Sequence, residues 1–292
     1  MDVLLPHSLD EALALKAEHP EALPIAGGTD VMVDVNFGRL RPPAMIDLSM
    51  LTELSSLGQE NGHVFLGSGV TYATIVKQLT DLKPLVQASR SVGSPQIRNR
   101  GTVGGNLGTA SPAGDALPVL AVYDAHVIVR SRARGERSLP WHQFLTGPKK
   151  TALAPDELII GSRWKRIRGA GSFSKIGTRN AMVIAVAGLC LVVDEDQRKV
   201  KVALGSVGPT IIRATQAEDQ VSAAMHGVGI WQDPSATLPE SAVAEFAELV
   251  AAAAKPLDDV RGTAAYRRHA CRVLARRALS WALDERKLPT WL

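Results

Sequence analysis

The stretch from Gly93 to Gly114 constrains this chain more than any other, because six of its 22 residues are glycine. A segment so long and so glycine-rich inside a compact protein is either functional or disordered. Ile97, Val103 and Leu107 are spaced through it, and a helical pattern from Asp115 to Tyr123 follows directly. The expectation is therefore an ordered binding loop. Gly101, Gly104, Gly105 and Gly108 permit positive φ and close approach of the backbone to a ligand. Thr102, Asn106, Thr109 and Ser111 interleave with them as neutral donors. No acidic residue occurs from Leu82 to Gly114, whereas Arg90, Arg98 and Arg100 do, a balance that favours an anionic ligand. Asp115, closing the run, can accept a hydrogen bond from a hydroxyl such as that of a ribose, can cap the next helix, or both.

A second glycine turn lies upstream in Pro24 to Val31, PIAGGTDV. The short strand ending at Ile25 and Ala26 gives way to Gly27 and Gly28, where backbone N–H groups can turn toward one point without side chains in the way. Such an array beside a helix start suits a phosphate or pyrophosphate, and Thr29 adds a hydroxyl. A Gly-Gly pair is equally an ordinary tight turn. Two phosphate-compatible segments in one domain point to a dinucleotide. The GxGxxG fingerprint is absent: Gly67-Ser68-Gly69 has Tyr72 in the place of the third glycine and reads as a strand-to-helix turn. The P-loop pattern is absent as well.

The chain falls into two parts. Ser8 to Ala17 reads as a capped helix, with Ser8 as N-cap and Glu11 three residues on. Leu23–Ala26, Ala44–Leu48 and Val64–Gly67 read as strands, with helices from about Thr71 to Leu79 and Asp115 to Tyr123, an α/β alternation. From about Glu157 strands follow one another (158–164, 172–176, 183–193, 200–207), and then helices (214–224, 239–254, 258–283). Strands followed by helices imply a separate α+β domain, with the boundary near Arg166 to Gly171.

Composition narrows the function classes. Aromatics make up 4% of the 292 residues, which argues against a base-stacking nucleic-acid platform, and the late arginines (Arg267, Arg268, Arg272, Arg276, Arg277) alternate with apolar residues as on a solvated helix face. Cys190 and Cys271 are far apart in apolar runs, so no iron–sulfur cluster or structural zinc is expected on this chain. Free buried thiols fit a reducing cytoplasm. No secretory signal is visible, and no apolar run approaches the length of a membrane span. The seven histidines show no ligand spacing.

AGGTD, followed some seventy residues later by SPQIRNRGTVGGN and ASPAGD, resembles the FAD-binding medium subunit of the molybdenum hydroxylases, the family of xanthine dehydrogenases, aldehyde oxidases and related bacterial enzymes. FSKIGTRNAMVIA from Phe173, ALGSVGPTIIRA from Ala203 and PLDDVRGTAAYRR from Pro256 resemble that family's C-terminal flavoprotein domain, so the likeness spans nearly the whole chain in order. It implies an α+β protein. An FAD-binding domain of the vanillyl-alcohol-oxidase (PCMH) type would occupy residues 1–168, in two α/β subdomains of about 1–55 and 56–168 that clasp the cofactor. A C-terminal α+β domain, residues 169–292, would close over the flavin.

On that likeness Ile25, Ala26, Gly27, Gly28, Thr29, Asp30 and Val31 form the first FAD segment. Gly101, Thr102, Gly104, Gly105, Asn106, Gly108, Thr109 and Asp115 form the second. Gly93 falls where the family approaches the ring system, Ile159 on a strand lining the pocket, and Lys175 at a lysine near the flavin; without the likeness Lys175 would be an ordinary surface lysine. Amides at 27–30 and 104–106 would neutralise the pyrophosphate. The implied role is electron transfer, from [2Fe–2S] centres of a small partner subunit to NAD, O2 or another carrier, with substrate oxidised on a large molybdopterin-binding subunit, in a dimer of heterotrimers. Neither nucleic acid nor membrane is an expected partner. Thr29 and Asp30 stand where carbon-monoxide-oxidising members tend to carry histidine and serine, which lowers the case for that substrate. The competing enzymatic reading is a self-contained FAD-dependent oxidoreductase of the same fold, which would need its own acid–base residues at the flavin.

Overall fold

A computed structural model describes residues 1–288. It divides into two compact units: Met1–Gln78, Val92–Ser111 and Asp124–Arg166 in the first, and Leu79–Ser91, Pro112–Tyr123 and Ile167 onward in the second.

The first unit holds two larger sheets and a small antiparallel pair, Leu145–Gly147 with Lys150–Thr151. Asp2–Leu4, Ala44–Asp47 and Leu23–Ile25 form a parallel three-stranded sheet with Ala44–Asp47 in the middle. The helix Leu9–Glu18 packs beside it and starts as its chemistry dictates. Ser8 Oγ accepts from the Glu11 N–H at 3.1 Å, and the Glu11 carboxylate accepts from the His7 N–H at 2.7 Å. Leu9, Ala12 and Leu13 on its inner face meet Leu51, Leu54, Ile128, Leu158 and Ile160 in one core cluster.

The other larger sheet is antiparallel, in the order Leu57–Glu60, His63–Gly67, Glu157–Lys165, His126–Ser131, Gly135–Pro140. Its central strand, Glu157–Lys165, heads the late run of strands in the sequence. It nevertheless pairs backward, with His63–Gly67 and His126–Ser131, and lies in the first unit. Gly161 permits this: a Cβ there would stand 2.5 Å from the Leu66 carbonyl and 2.8 Å from the Phe65 ring. The outer strand Gly135–Pro140 is largely exposed and carries Glu136 and Arg137, charges that suit an unpaired sheet edge.

In the second unit Gly171–Ile176, Ala187–Asp194, Lys199–Gly205 and Ile212–Arg213 form an antiparallel sheet in chain order. Every residue of Ala187–Asp194 is buried, as a strand covered on both faces must be. Its partners are the long helix Ala264–Arg286 and the short helix Ala116–Val122, itself buried along its whole length. Thr215–Gly227 and Glu240–Ala253 complete the layer, with Val221, Met225, Phe246 and Val250 joining Leu189, Leu191 and Val193 in the core. The last helix begins at Ala264, later than the sequence pattern implies. Residues 258–263 instead form a turn whose Thr263 hydroxyl caps the Tyr266 N–H at 3.2 Å. No helix among the described residues is long and apolar enough to cross a membrane.

One charged group sits at the head of the central strand of the first unit. Glu157 takes both oxygens to Arg137 (2.7 and 2.8 Å), accepts from the Ala154 N–H at 2.8 Å, and its side chain is 2% exposed. The Arg137 hydrogen bonds hold its carboxyl below the usual glutamate range. A carboxylate lowered on folding contributes stability that is present above its unfolded range and lost as pH falls through the folded value. Urea unfolding followed from neutral pH to about pH 3 should show a steeper loss of stability in the parent chain than in Glu157→Gln, which starts less stable and flattens the acid limb.

Candidate functional site

The strand Leu23–Ile25 delivers the chain to Ala26 and then to a tight turn. Gly28 has φ +71, a conformation in which a side chain would be strained. Gly27 is required for a different reason: a Cβ there would collide with the backbone carbonyl of Arg100. Backbone therefore lies directly on backbone. At Gly101 a Cβ would stand 3.3 Å from the Thr29 hydroxyl, and Thr109 Oγ1 donates to Asp30 Oδ2 at 3.2 Å. The two segments picked out from sequence are thus in contact along Gly27–Asp30 and Arg100–Thr109, both within the first unit. Among the described residues, the N–H groups of Gly27, Gly28, Thr29 and Asp30 donate to no acceptor in the chain. Gly27, Gly28 and Thr29 are half-buried and Asp30 is exposed, so these amides are open to an outside acceptor, and four consecutive unclaimed donors at a glycine turn make a natural anion cradle.

The second segment is not a loop. It folds as two short helices, Pro95–Arg100 and Val103–Thr109. Ser94 and Pro95 start the first, with the Ser94 hydroxyl accepting from the Ile97 N–H at 3.4 Å. Thr102 starts the second, accepting from the Gly105 N–H at 2.9 Å. The expectation that amides 104–106 face a pyrophosphate fails for this reason. The Gly104 N–H donates to the Ser68 carbonyl at 3.2 Å, that of Gly105 to Thr102 Oγ1, and that of Asn106 to the Thr102 carbonyl at 3.1 Å. Ser68, in the strand-to-helix turn between His63–Gly67 and Tyr72–Gln78, is the buttress: a Cβ at Gly104 would run into it.

What the glycine helix offers outward is different. Gly105 and Gly108, three residues apart and so on one face, are both exposed. A Cβ at Gly105 would meet only the Thr102 hydroxyl at 3.2 Å, and one at Gly108 only Ile159 Cδ1 at 3.6 Å. Beside them Asn106 Oδ1 is buried with no hydrogen-bond partner in the chain. A bare backbone face, an unclaimed acceptor and four unclaimed N–H donors match a flat, phosphate-bearing dinucleotide, so the residues fit FAD. Gly93 has φ +46 and packs on Ile97. Arg98, read from sequence as part of a cationic lure, turns inward instead and donates to the Val92 and Gly93 carbonyls at 3.0 Å each.

Asp115 and Lys175 belong to the second unit. Asp115 stands at the N-cap of Ala116–Val122 without making a capping hydrogen bond. Its Oδ2 accepts from Lys175 Nζ at 2.6 Å and from Ser91 Oγ at 2.9 Å, and Lys175 also donates to the Ser91 carbonyl at 3.1 Å. Burial pushes the Asp115 carboxyl up, against the pull of Lys175 and Ser91. With its side chain 11% exposed, Lys175 is a largely covered, paired lysine and not the surface lysine that its sequence context implied. The cysteines are buried too; desolvation raises Cys190 strongly and pushes the Cys271 thiol up to about 12.

Comparison with known proteins agrees with this chemistry. Residues 1–162 match the family described as the FAD binding domain in molybdopterin dehydrogenase, and residues 233–282 the CO dehydrogenase flavoprotein C-terminal domain. The chain is 32% identical to the nicotinate dehydrogenase FAD-subunit of Eubacterium barkeri over 230 residues, 74% of this chain and 77% of that protein. It is 32% identical to the nicotine 6-hydroxylase medium subunit of Paenarthrobacter nicotinovorans, covering 94% of each. Among solved structures it is similar to carbon monoxide dehydrogenase from Hydrogenophaga pseudoflava, with a TM-score of 0.84, 25% identity and 97% of each chain covered. Fold and comparisons together define an FAD-binding flavoprotein of the PCMH type with a mixed α and β architecture. The chain belongs to the family of FAD-binding subunits of the molybdenum hydroxylases, the xanthine and carbon monoxide dehydrogenase group, and is an oxidoreductase subunit.

The Gly27 contact makes a sharp demand. Gly27→Ala has no room against the Arg100 carbonyl, so the first segment must move off the second. The purified variant should carry at most a small fraction of the parent's flavin, read from its absorbance, and should melt at a lower temperature; full flavin content would refute the role of this contact.

Proposed function

We propose that this chain holds FAD across the contact between its two glycine segments and serves as the electron outlet of a molybdenum hydroxylase. The free amides of Gly27 to Asp30 would take the diphosphate. The bare face at Gly105 and Gly108, with Asn106 Oδ1 beside it, would seat the rest of the dinucleotide against Ile159. The observation that carries the reading is that mutual contact, with its donors left unclaimed.

When bound, FAD supplies a carrier that accepts electrons singly and releases one or two. The chain's own contribution is to bind and orient. Its amides neutralise charge without adding a mobile cation, and the capped glycine helix gives a rigid platform. Asp115 and Lys175 stay in the proposal on the family likeness alone, as a charge-balanced pair and not a free cation. Substrate oxidation would take place on a large molybdopterin-binding partner, electrons would arrive from a small [2Fe–2S] partner, and NAD, O2 or another carrier would take them. Such an assembly would be a dimer of three-chain units in the cytoplasm.

Gly105 provides the test, because a Cβ there would meet only the Thr102 hydroxyl, at 3.2 Å, and no other part of the chain. Gly105→Leu should fold with a far-UV circular dichroism spectrum and FAD-free melting temperature close to the parent's, yet lose FAD. A variant that keeps both fold and flavin would remove the glycine helix from the site. Native mass spectrometry of the parent should find two further chains, one bearing iron and sulfur and one bearing molybdopterin.

A further inference from the structure

Asp30 stands where a helix-capping aspartate belongs, at the start of Val31–Asn36, but makes no capping hydrogen bond. Its carboxylate instead reaches Thr109, the last residue of the glycine helix, 79 positions away. One turn further along, Asp34 Oδ2 accepts from Lys149 Nζ at 3.2 Å. Lys149 in turn donates its own N–H to the carbonyl of Ala110, the residue after Thr109, at 3.0 Å. Ala110 and Lys149 both have positive φ, 47° and 55°, although neither is glycine. Side chains disfavour that conformation, and residues held in it gather where the surrounding structure has a use for it.

Asp30 and Asp34 are four residues apart and so lie on one side of their helix. One grips Thr109 directly; the other grips Ala110 through Lys149. We propose that these four side chains form a two-point latch that fixes the distance between the two FAD-holding segments, with Lys149 and Asp34 as positioning residues that do not touch the cofactor. This rests on the reading of the two segments as the FAD site. Lysine pairing holds the Asp34 carboxyl below its usual range, with Arg39 adding to it at 3.5 Å. The latch lies at the surface, Lys149 being 62% exposed, so its effect is modest and sensitive to salt.

The test is FAD titration of the full chain, followed by flavin fluorescence, alongside melting of the FAD-free chain. Lys149→Met and Asp34→Asn should each weaken FAD binding about two- to fivefold. The double variant should be no weaker than the worse single one, since both break the same link. Lys149→Arg should restore the affinity, and the loss should shrink at high salt. Unchanged affinity in both single variants, or losses that add, would overturn the latch. So would a lowered FAD-free melting temperature with no change in affinity, which would make the pair structural only. Retention of FAD by Gly105→Leu would instead bring down the site on which the latch rests, and is read separately.

Discussion

The site in the first unit depends on one contact between main chains, Gly27 against Arg100 and Gly101. Two segments more than seventy residues apart meet there with no side chain between them, so their spacing is set by van der Waals contact of backbone atoms. The neighbouring bonds follow from it. The Tyr72 N–H donates to the Gly101 carbonyl at 3.0 Å, and Thr71 and Thr102 form an isolated bridge, so the second segment is pinned from its other side as well. With the segments fixed in this way, the amides from Gly27 to Asp30 have no acceptor within the chain to turn to. A cradle of this kind needs no large shift to receive an anion, which lowers the ordering cost of binding.

The second unit shows how the same chain treats charge it must bury. Arg267, 4% exposed, donates to the Val186 and Ser206 carbonyls and pairs with Asp259. Arg213 pairs with Glu218 through two nitrogens and reaches the Ala121 carbonyl, while Glu218 also accepts from the Val202 N–H. In each case a cation is held to backbone carbonyls and to one acid, the arrangement that offsets desolvation. Lys175 follows the same pattern with Ser91 and Asp115. The proposed place of Lys175 near a flavin is compatible with this internal pairing: the charge is held in place by the fold and is not left to wander.

Much of this architecture was legible beforehand because local signals agreed with the fold. Ser8 with Glu11, the apolar run from Val64 to Gly67 and the one within 183–193 are cases where propensity, capping and burial point one way, although the last strand starts only at Ala187. Other features were hidden for physical reasons. The exposed strand Gly135–Pro140 has no apolar alternation to read, and Glu157–Lys165 pairs with strands far behind it, which no local pattern encodes. Glycine opposes helix, so the composition of the glycine segment implies a loop. Thr102 and Ser94 are good caps, yet their signal was outweighed by the glycines that follow. Lys149 and Asp34 carried no signal at all, since an exposed lysine and an aspartate 115 positions apart look like ordinary surface charge. The family likeness named the two segments; only the geometry shows which donors in them are free.

The glycine helix sharpens that last point into an argument about function. Each glycine in a helix costs about 1 kcal/mol relative to alanine, and Val103–Thr109 holds three of them. Gly104 has a reason inside the protein, because Ser68 leaves no room for a Cβ. Gly105 and Gly108 have none of comparable force: both are exposed, and neither has a positive φ that would demand glycine. Two helix-weakening residues on one open face, in a seven-residue helix that could hold alanine there, have no account in the folding of this chain. The proposed FAD site would supply that account, since it asks something to come closer to that backbone than a methyl group allows.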